Sequence, residues 1–162
     1  MNIIELLMVE HASLRLHFRF MREKSSDLIY EAEDFVRNCH AKVEDELVFP
    51  RLNQILATKE VDLVKALSRI EADHKLIEKI GDQIKNSTAQ ADTATLKKRI
   101  MLYANTVESH NSSEESLIFQ HWQASEAESR EIMSKAKEVI EQFGRDRYFR
   151  ITGISERLFD KV

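Results

Sequence analysis

His40-Ala-Lys-Val-Glu44-Asp-Glu-Leu-Val-Phe49-Pro50 opens with a histidine and a glutamate four residues apart, and the same pair returns seventy residues later as His110-Asn-Ser-Ser-Glu114. Residues four apart share one face of a helix, so each pair offers an imidazole and a carboxylate to one point. A further histidine precedes each pair, His11 by 29 residues and His74 by 36. Two helices bearing the pairs and two bearing the single histidines can close a cage of four imidazoles and two carboxylates. The fold this implies is all-α: an up-down-up-down four-helix bundle over residues 1–122, with an additional C-terminal helix and tail over 123–162 packing on the same domain.

The rest of the composition agrees. The chain has 162 residues, 32% of them charged, with 3 Gly and 1 Pro. That length suits one domain with a core of its own, and the scarcity of helix breakers suits helices. A net charge of −4 without a basic stripe gives no reason to expect nucleic acid or an anionic membrane. Cys39 is the single cysteine, so no internal disulfide holds the fold. Residues 1–9 are apolar but short, without a basic leader or a cleavage site, and read as neither signal peptide nor membrane span. The expectation is a soluble cytoplasmic protein.

Along the chain, Asn2 and Glu5 form a capping-box pattern that opens a first helix running to about Glu23. Lys24 to Asp27 reads as a turn. A second helix covers about 28–56, with Pro50 expected to kink it or end it just beforehand. A break at 58–60 precedes a third helix carrying Leu67, Ile70, His74 and Ile77. Asn86 to Asp92 reads as a loop whose last residue caps a fourth helix with Tyr103, Val107, His110, Glu114 and Leu117. A fifth helix, about 127–143, stops at Gly144. The amphipathic tail 145–162 is expected to pack back on the bundle. The set His…His-x-x-x-Glu occurs once in each half, a weak internal repeat.

A lone histidine on an apolar face is more often a core residue than a ligand. The glutamates change the balance. His40, Val43, Glu44 and Leu47 follow one helical stripe, as do His110, Glu114 and Leu117. A carboxylate buried on such a stripe needs a cation, and no lysine or arginine recurs on both. Six ligands exceed the four of a structural zinc. Calcium and magnesium prefer oxygen. A pair of iron ions suits mixed imidazole and carboxylate ligation. The ferritin-like alternative needs Glu-x-x-His twice, and the chain offers it once, at Glu71-Ala-Asp-His74.

His11 within Val9-Glu10-His11, the block His40 to Pro50, the segment Glu71 to His74 and the run His110 to Phe119 resemble the hemerythrin-like, HHE cation-binding domains over about residues 1–122. The resemblance implies two irons, oxo- or hydroxo-bridged, with Glu44 and Glu114 bridging them. It places His11 and His40 on one iron, and His74 and His110 on the other. The blood-pigment hemerythrins carry two histidines four apart on the third helix; here the residue four after His74 is Glu78. That leaves a more open site or adds Glu78 as a weaker candidate ligand. Domains with this ligand set resemble iron or oxygen sensors and proteins of the nitric-oxide response.

The leading expectation is a non-haem di-iron protein that binds or senses O2, peroxide or NO under oxygen, iron or nitrosative stress. The alternatives are a di-iron redox enzyme, peroxidase-like or NO-reducing, and an iron-dependent interaction module. No protein partner can be named. Secondary residues read as follows: His121 lies ~16 Å along the axis from His110, too far to ligate. Tyr103 fills core or lines an access route. His17 falls on the surface. Cys39 is a small buried hydrophobe. Asp45, Glu46 and Glu115 are surface charges.

Overall fold

A computed structural model describes residues 1–23, 28–59, 61–87 and 93–160. Among these the chain is almost entirely helical, with no strand. The first helix, α1 (Ile3–Glu23), starts at the expected capping box: Asn2 N donates to Glu5 Oε2 at 2.8 Å, and Glu5 N donates to Asn2 Oδ1 at 3.0 Å. The second, α2, spans residues 28–56 with two wide turns inside it, at Val36–His40 and Glu44–Val48. In these, Ala41 N–H bonds Val36 O, and Phe49 N–H bonds Glu44 O, five residues back. The third, α3, is Val61–Ser87. The fourth, α4, runs over 93–118 and ends in a third wide turn, Glu114–Ile118, where Phe119 N–H bonds Glu114 O.

Pro50 does not end α2. It stands in the first turn of the segment Phe49–Leu56, directly after a wide turn. A proline lacks the N–H that a continuing ladder needs, and at the start of a segment following a widened turn that donor is not required. The predicted loop from Asn86 is also shorter at its start, because α3 continues through Ser87. The predicted turn at Lys24 to Asp27, Glu60 in the break, and the loop residues Thr88 to Asp92 with its cap lie outside the described residues.

The helices pack around one core. α1 touches α2 and α4, and α3 touches α2 and α4. Leu6, Leu7, Leu14 and Phe18 from α1 meet Phe35, Val43, Phe49 and Leu52 from α2, with Leu67, Ile70 and Ile77 from α3 and Tyr103, Ala104 and Val107 from α4. Burying each large apolar side chain contributes roughly 1.5–3 kcal/mol.

The C-terminal part is an integral layer. Helix α5 (Glu126–Phe143) opens on a capping box between Ser125 and Glu128 and closes at Gly144, whose φ is 110°. Two short helices follow, α6 (Arg145–Thr152) and α7 (Glu156–Asp160). α6 packs on α1 and α2, and Tyr148 and Phe159 are buried. No helix among the described residues is long and apolar enough to cross a membrane.

Candidate metal centre

The three wide turns sit at the polar heart of the bundle. His40 ends the first, Glu44 begins the second and Glu114 begins the third. Such turns add a residue to the helical cycle and recur at functional positions. His11 from the middle of α1, His74 from α3 and His110 from α4 complete the group. His11, His40, Glu44, His110 and Glu114 are buried, and His74 is 10% exposed.

The two carboxylates stand between two pairs of imidazoles. Glu44 turns Oε1 toward His40 Nε2 at 3.4 Å and His11 Nε2 at 3.7 Å, and Oε2 toward His74 Nε2 at 3.3 Å. Glu114 turns Oε1 toward His110 Nε2 at 3.3 Å and Oε2 toward His11 Nε2 at 3.4 Å. Two sets of potential donors result, His11–His40–Glu44–Glu114 and Glu44–His74–His110–Glu114, each with its atoms within 4.8 Å of one another. Both sets contain both carboxylates.

Four of the buried atoms of this group are carboxylate oxygens without a hydrogen-bond partner, both of Glu44 and both of Glu114; Nε2 of His11 and of His40 lack one as well. Leaving buried polar atoms unpartnered is costly, and more so for charged ones. Cations placed in the two donor sets would satisfy all six, so the residues present fit a pair of metal ions.

The outer nitrogens of the imidazoles are held separately. His40 Nδ1 bonds Glu10 Oε2 at 2.7 Å, His11 Nδ1 bonds Glu115 Oε1 at 2.8 Å, and His74 Nδ1 bonds Asp45 Oδ1 at 2.8 Å. His110 Nδ1 is the exception: it is buried without a hydrogen-bond partner, with Asp73 Oδ2 at 3.8 Å. A carboxylate at Nδ1 places the proton there and leaves the Nε2 lone pair facing inward. Asp45 and Glu115 are thus not simple surface charges: each follows a cluster glutamate by one residue and reaches an imidazole of another helix. Glu46 is exposed as expected. Glu10 was not legible as a partner. A signal existed for Glu10, which falls three after Leu7 and four before Leu14 on a buried stripe.

Electrostatics follow from this packing. Burial opposes a charged His40, but Glu44, Glu10 and Glu114 outweigh it and hold its pKa up at about 9. Burial likewise opposes a charged His74, and Asp45 and Glu44 raise it to about 10. Glu44 is held well below the usual carboxylate range, because the imidazoles of His40, His11 and His74 overcome its burial. Glu114 moves the other way, raised by burial and by the charge of Glu44.

The structure does not bring Glu78 into the group. Its side chain is 56% exposed and lies 3.4 Å from Arg37 Nη1. It stands instead at the rim of a cavity of about 280 Å³ that reaches His74, Tyr103 and Glu33. Tyr103 Oη is buried there without a hydrogen-bond partner. Glu33, a buried carboxylate that sequence reading passed over, is held by Arg37 Nε at 2.7 Å and Lys85 Nζ at 2.5 Å. Cys39 is buried, and burial pushes its thiol pKa up.

A family model described as the hemerythrin HHE cation-binding domain matches residues 2–122. The chain belongs to that family. The matched stretch carries all six residues of the cluster and stops short of α5. No curated protein and no solved structure matches it.

Proposed function

We propose that this chain is a non-haem di-iron protein of hemerythrin type that binds or senses a small molecule, O2, peroxide or NO, in the handling of oxygen, iron or nitrosative stress. The observation that carries the reading is the sharing of Glu44 and Glu114 between both donor sets. One oxygen of each carboxylate faces each imidazole group, as carboxylates bridging two cations would require. His11 and His40 would hold one iron, His74 and His110 the other, with an oxo or hydroxo bridge completing the pair. Mixed imidazole and carboxylate donors favour iron over zinc, calcium or magnesium.

The chain's own residues do the rest. The carboxylates at Nδ1 orient the rings, and the surrounding Phe35, Phe49 and Phe119 exclude bulk water. Bound iron would supply redox and ligand-binding chemistry. The cavity beside His74, the least buried of the four imidazoles, supports entry of the small molecule on that side. The pairing of His11 with Glu114 and of Phe18 with Tyr103 supports an antiparallel α1 and α4, as an up-down-up-down bundle needs. A cytoplasmic location belongs to this reading and is supported by the buried, unpaired thiol.

The test is metal analysis of protein produced with iron available, followed by optical spectra of the reduced protein before and after O2, peroxide or NO. Two equivalents of iron and a spectral response to one of these are expected. One tightly held zinc with no second metal would refute the reading.

A further inference from the structure

Tyr148 belongs to α6, outside the stretch that defines the family domain. It is fully buried, and its hydroxyl donates to Glu10 Oε1 at 2.6 Å. The other oxygen of the same carboxylate accepts from His40 Nδ1 at 2.7 Å. Glu10 is itself fully buried. A continuous hydrogen-bonded line therefore runs from the C-terminal segment through Glu10 to His40, whose Nε2 faces Glu44 Oε1 at 3.4 Å.

We propose that Tyr148 is a positioning residue for the metal centre, acting through Glu10 to set the orientation and donor strength of His40. The proposal rests on the reading that His40 holds a metal ion.

The chemistry follows from how a carboxylate distributes its charge. No lysine or arginine is among the hydrogen-bond partners of Glu10; its two oxygens are met by a phenol and an imidazole. The phenolic proton draws charge toward Oε1. That slightly tempers Nε2 as a donor. The larger effect is positional: the phenol fixes the carboxylate, and hence the ring, so that Nε2 points at the metal position, and without it the metal is held less firmly.

The other carboxylates are handled differently. Glu115 is shared with Arg15 at 2.5 Å, while Asp45 and Asp73 are 52% and 44% exposed. Solvent or a cation moderates those three. Only for His40, among the described cluster imidazoles, does a buried neutral group from the C-terminal segment do so. The segment is docked independently by Ser13 Oγ, which donates to Thr152 O at 2.6 Å, and by Phe159 against Tyr148 at 5.9 Å.

The test compares the full-length parent with Tyr148→Phe and Phe159→Leu, each loaded with Fe(II). Tyr148→Phe keeps the ring and deletes the hydroxyl; Phe159→Leu loosens the same packing without touching Glu10. The readouts are iron per chain, rate of release to a chelator, and the oxidised absorption spectrum. In Tyr148→Phe, one of the two irons should leave about tenfold faster, within the range for lost outer partners of metal ligands, and the spectrum should shift. Phe159→Leu should lower the melting temperature and leave release and spectrum at parental values. Parental release and spectrum in Tyr148→Phe would overturn the proposal, as would the same changes in Phe159→Leu. A parent that binds no metal would overturn the di-iron reading itself, and this assignment with it.

Discussion

Nε2 of His74 and Nε2 of His110 face each other at 3.0 Å. At that separation one nitrogen can donate to the other, but two Nε2–H groups cannot both point inward. In the metal-free chain the pair must share a proton that a metal would displace, so metal and protons compete for the same lone pairs.

This competition sets the pH dependence. His40 and His74 are raised to about 9 and about 10 in the folded, metal-free chain, above their unfolded value of about 6.5. The stability they contribute is therefore complete below about pH 6.5 and is lost as pH rises through the folded values. Glu44 is shifted down, so its contribution is present above about pH 4.3 and fades as pH falls through its folded value. Urea midpoints of the metal-free protein should fall between about pH 7 and 10, whereas the loaded protein should change far less. A metal-free protein equally stable at both ends would contradict the assigned contacts.

Gly81 and Glu33 yield a second prediction. A Cβ on Gly81 would lie 2.7 Å from Glu33 Oε1 and 3.0 Å from its Cγ. Gly→Ala inside a helix ordinarily gains about 1 kcal/mol. Here the added methyl displaces a buried carboxylate from Arg37 and Lys85. Gly81→Ala should therefore destabilise the protein, by about 1–3 kcal/mol as for other overpacking. Chemical denaturation checks the sign, and in a Glu33→Ala background the loss should disappear.

Tyr103 carries the opposite sign to most core tyrosines. Its hydroxyl is buried without a partner, and burial together with the charge of Glu33 pushes its pKa well above normal. Tyr103→Phe removes an unsatisfied group and should raise stability by about 1 kcal/mol. Because the ring lines the cavity beside His74, the same variant should also change the rate at which iron-loaded protein reacts with peroxide. A stability loss would show that the hydroxyl has a partner.

The helices and the six-residue cluster were legible because i, i+4 spacing and apolar stripes are local. The wide turns were not. A regular helix places Leu47 and Leu117 inward, seven after His40 and His110. In the structure Val48 and Ile118 are the buried residues, and Leu117 is 43% exposed. Each shift by one position follows the extra residue in the turns that begin at Glu44 and Glu114. Those same turns leave Asp45 and Glu115 able to reach His74 and His11. The partners of Nδ1 escaped notice for a related reason. Glu10 meets His40 across thirty residues, and nothing in a single helix's periodicity records a contact between helices.

The final prediction separates shared ligands from unshared ones. His40 belongs to one donor set and His110 to the other, whereas Glu44 belongs to both. His40→Ala and His110→Ala should each lose about one metal and retain the other, since the set each leaves untouched keeps all four of its donors. Glu44→Ala removes an oxygen from each set and should weaken both positions together, although it deletes one side chain as the histidine variants do. Near neutral pH its metal-free form should be less stable than the metal-free parent, because His40 and His74 lose a carboxylate that favours their charged forms. Glu78→Gln, on the rim and 56% exposed, should keep the parental metal content and spectrum. Metal content per chain, read alongside melting of the chelated forms, distinguishes these cases. Loss of a single metal in Glu44→Ala would mean that its two oxygens serve one cation, and the shared-carboxylate geometry would then have to be abandoned.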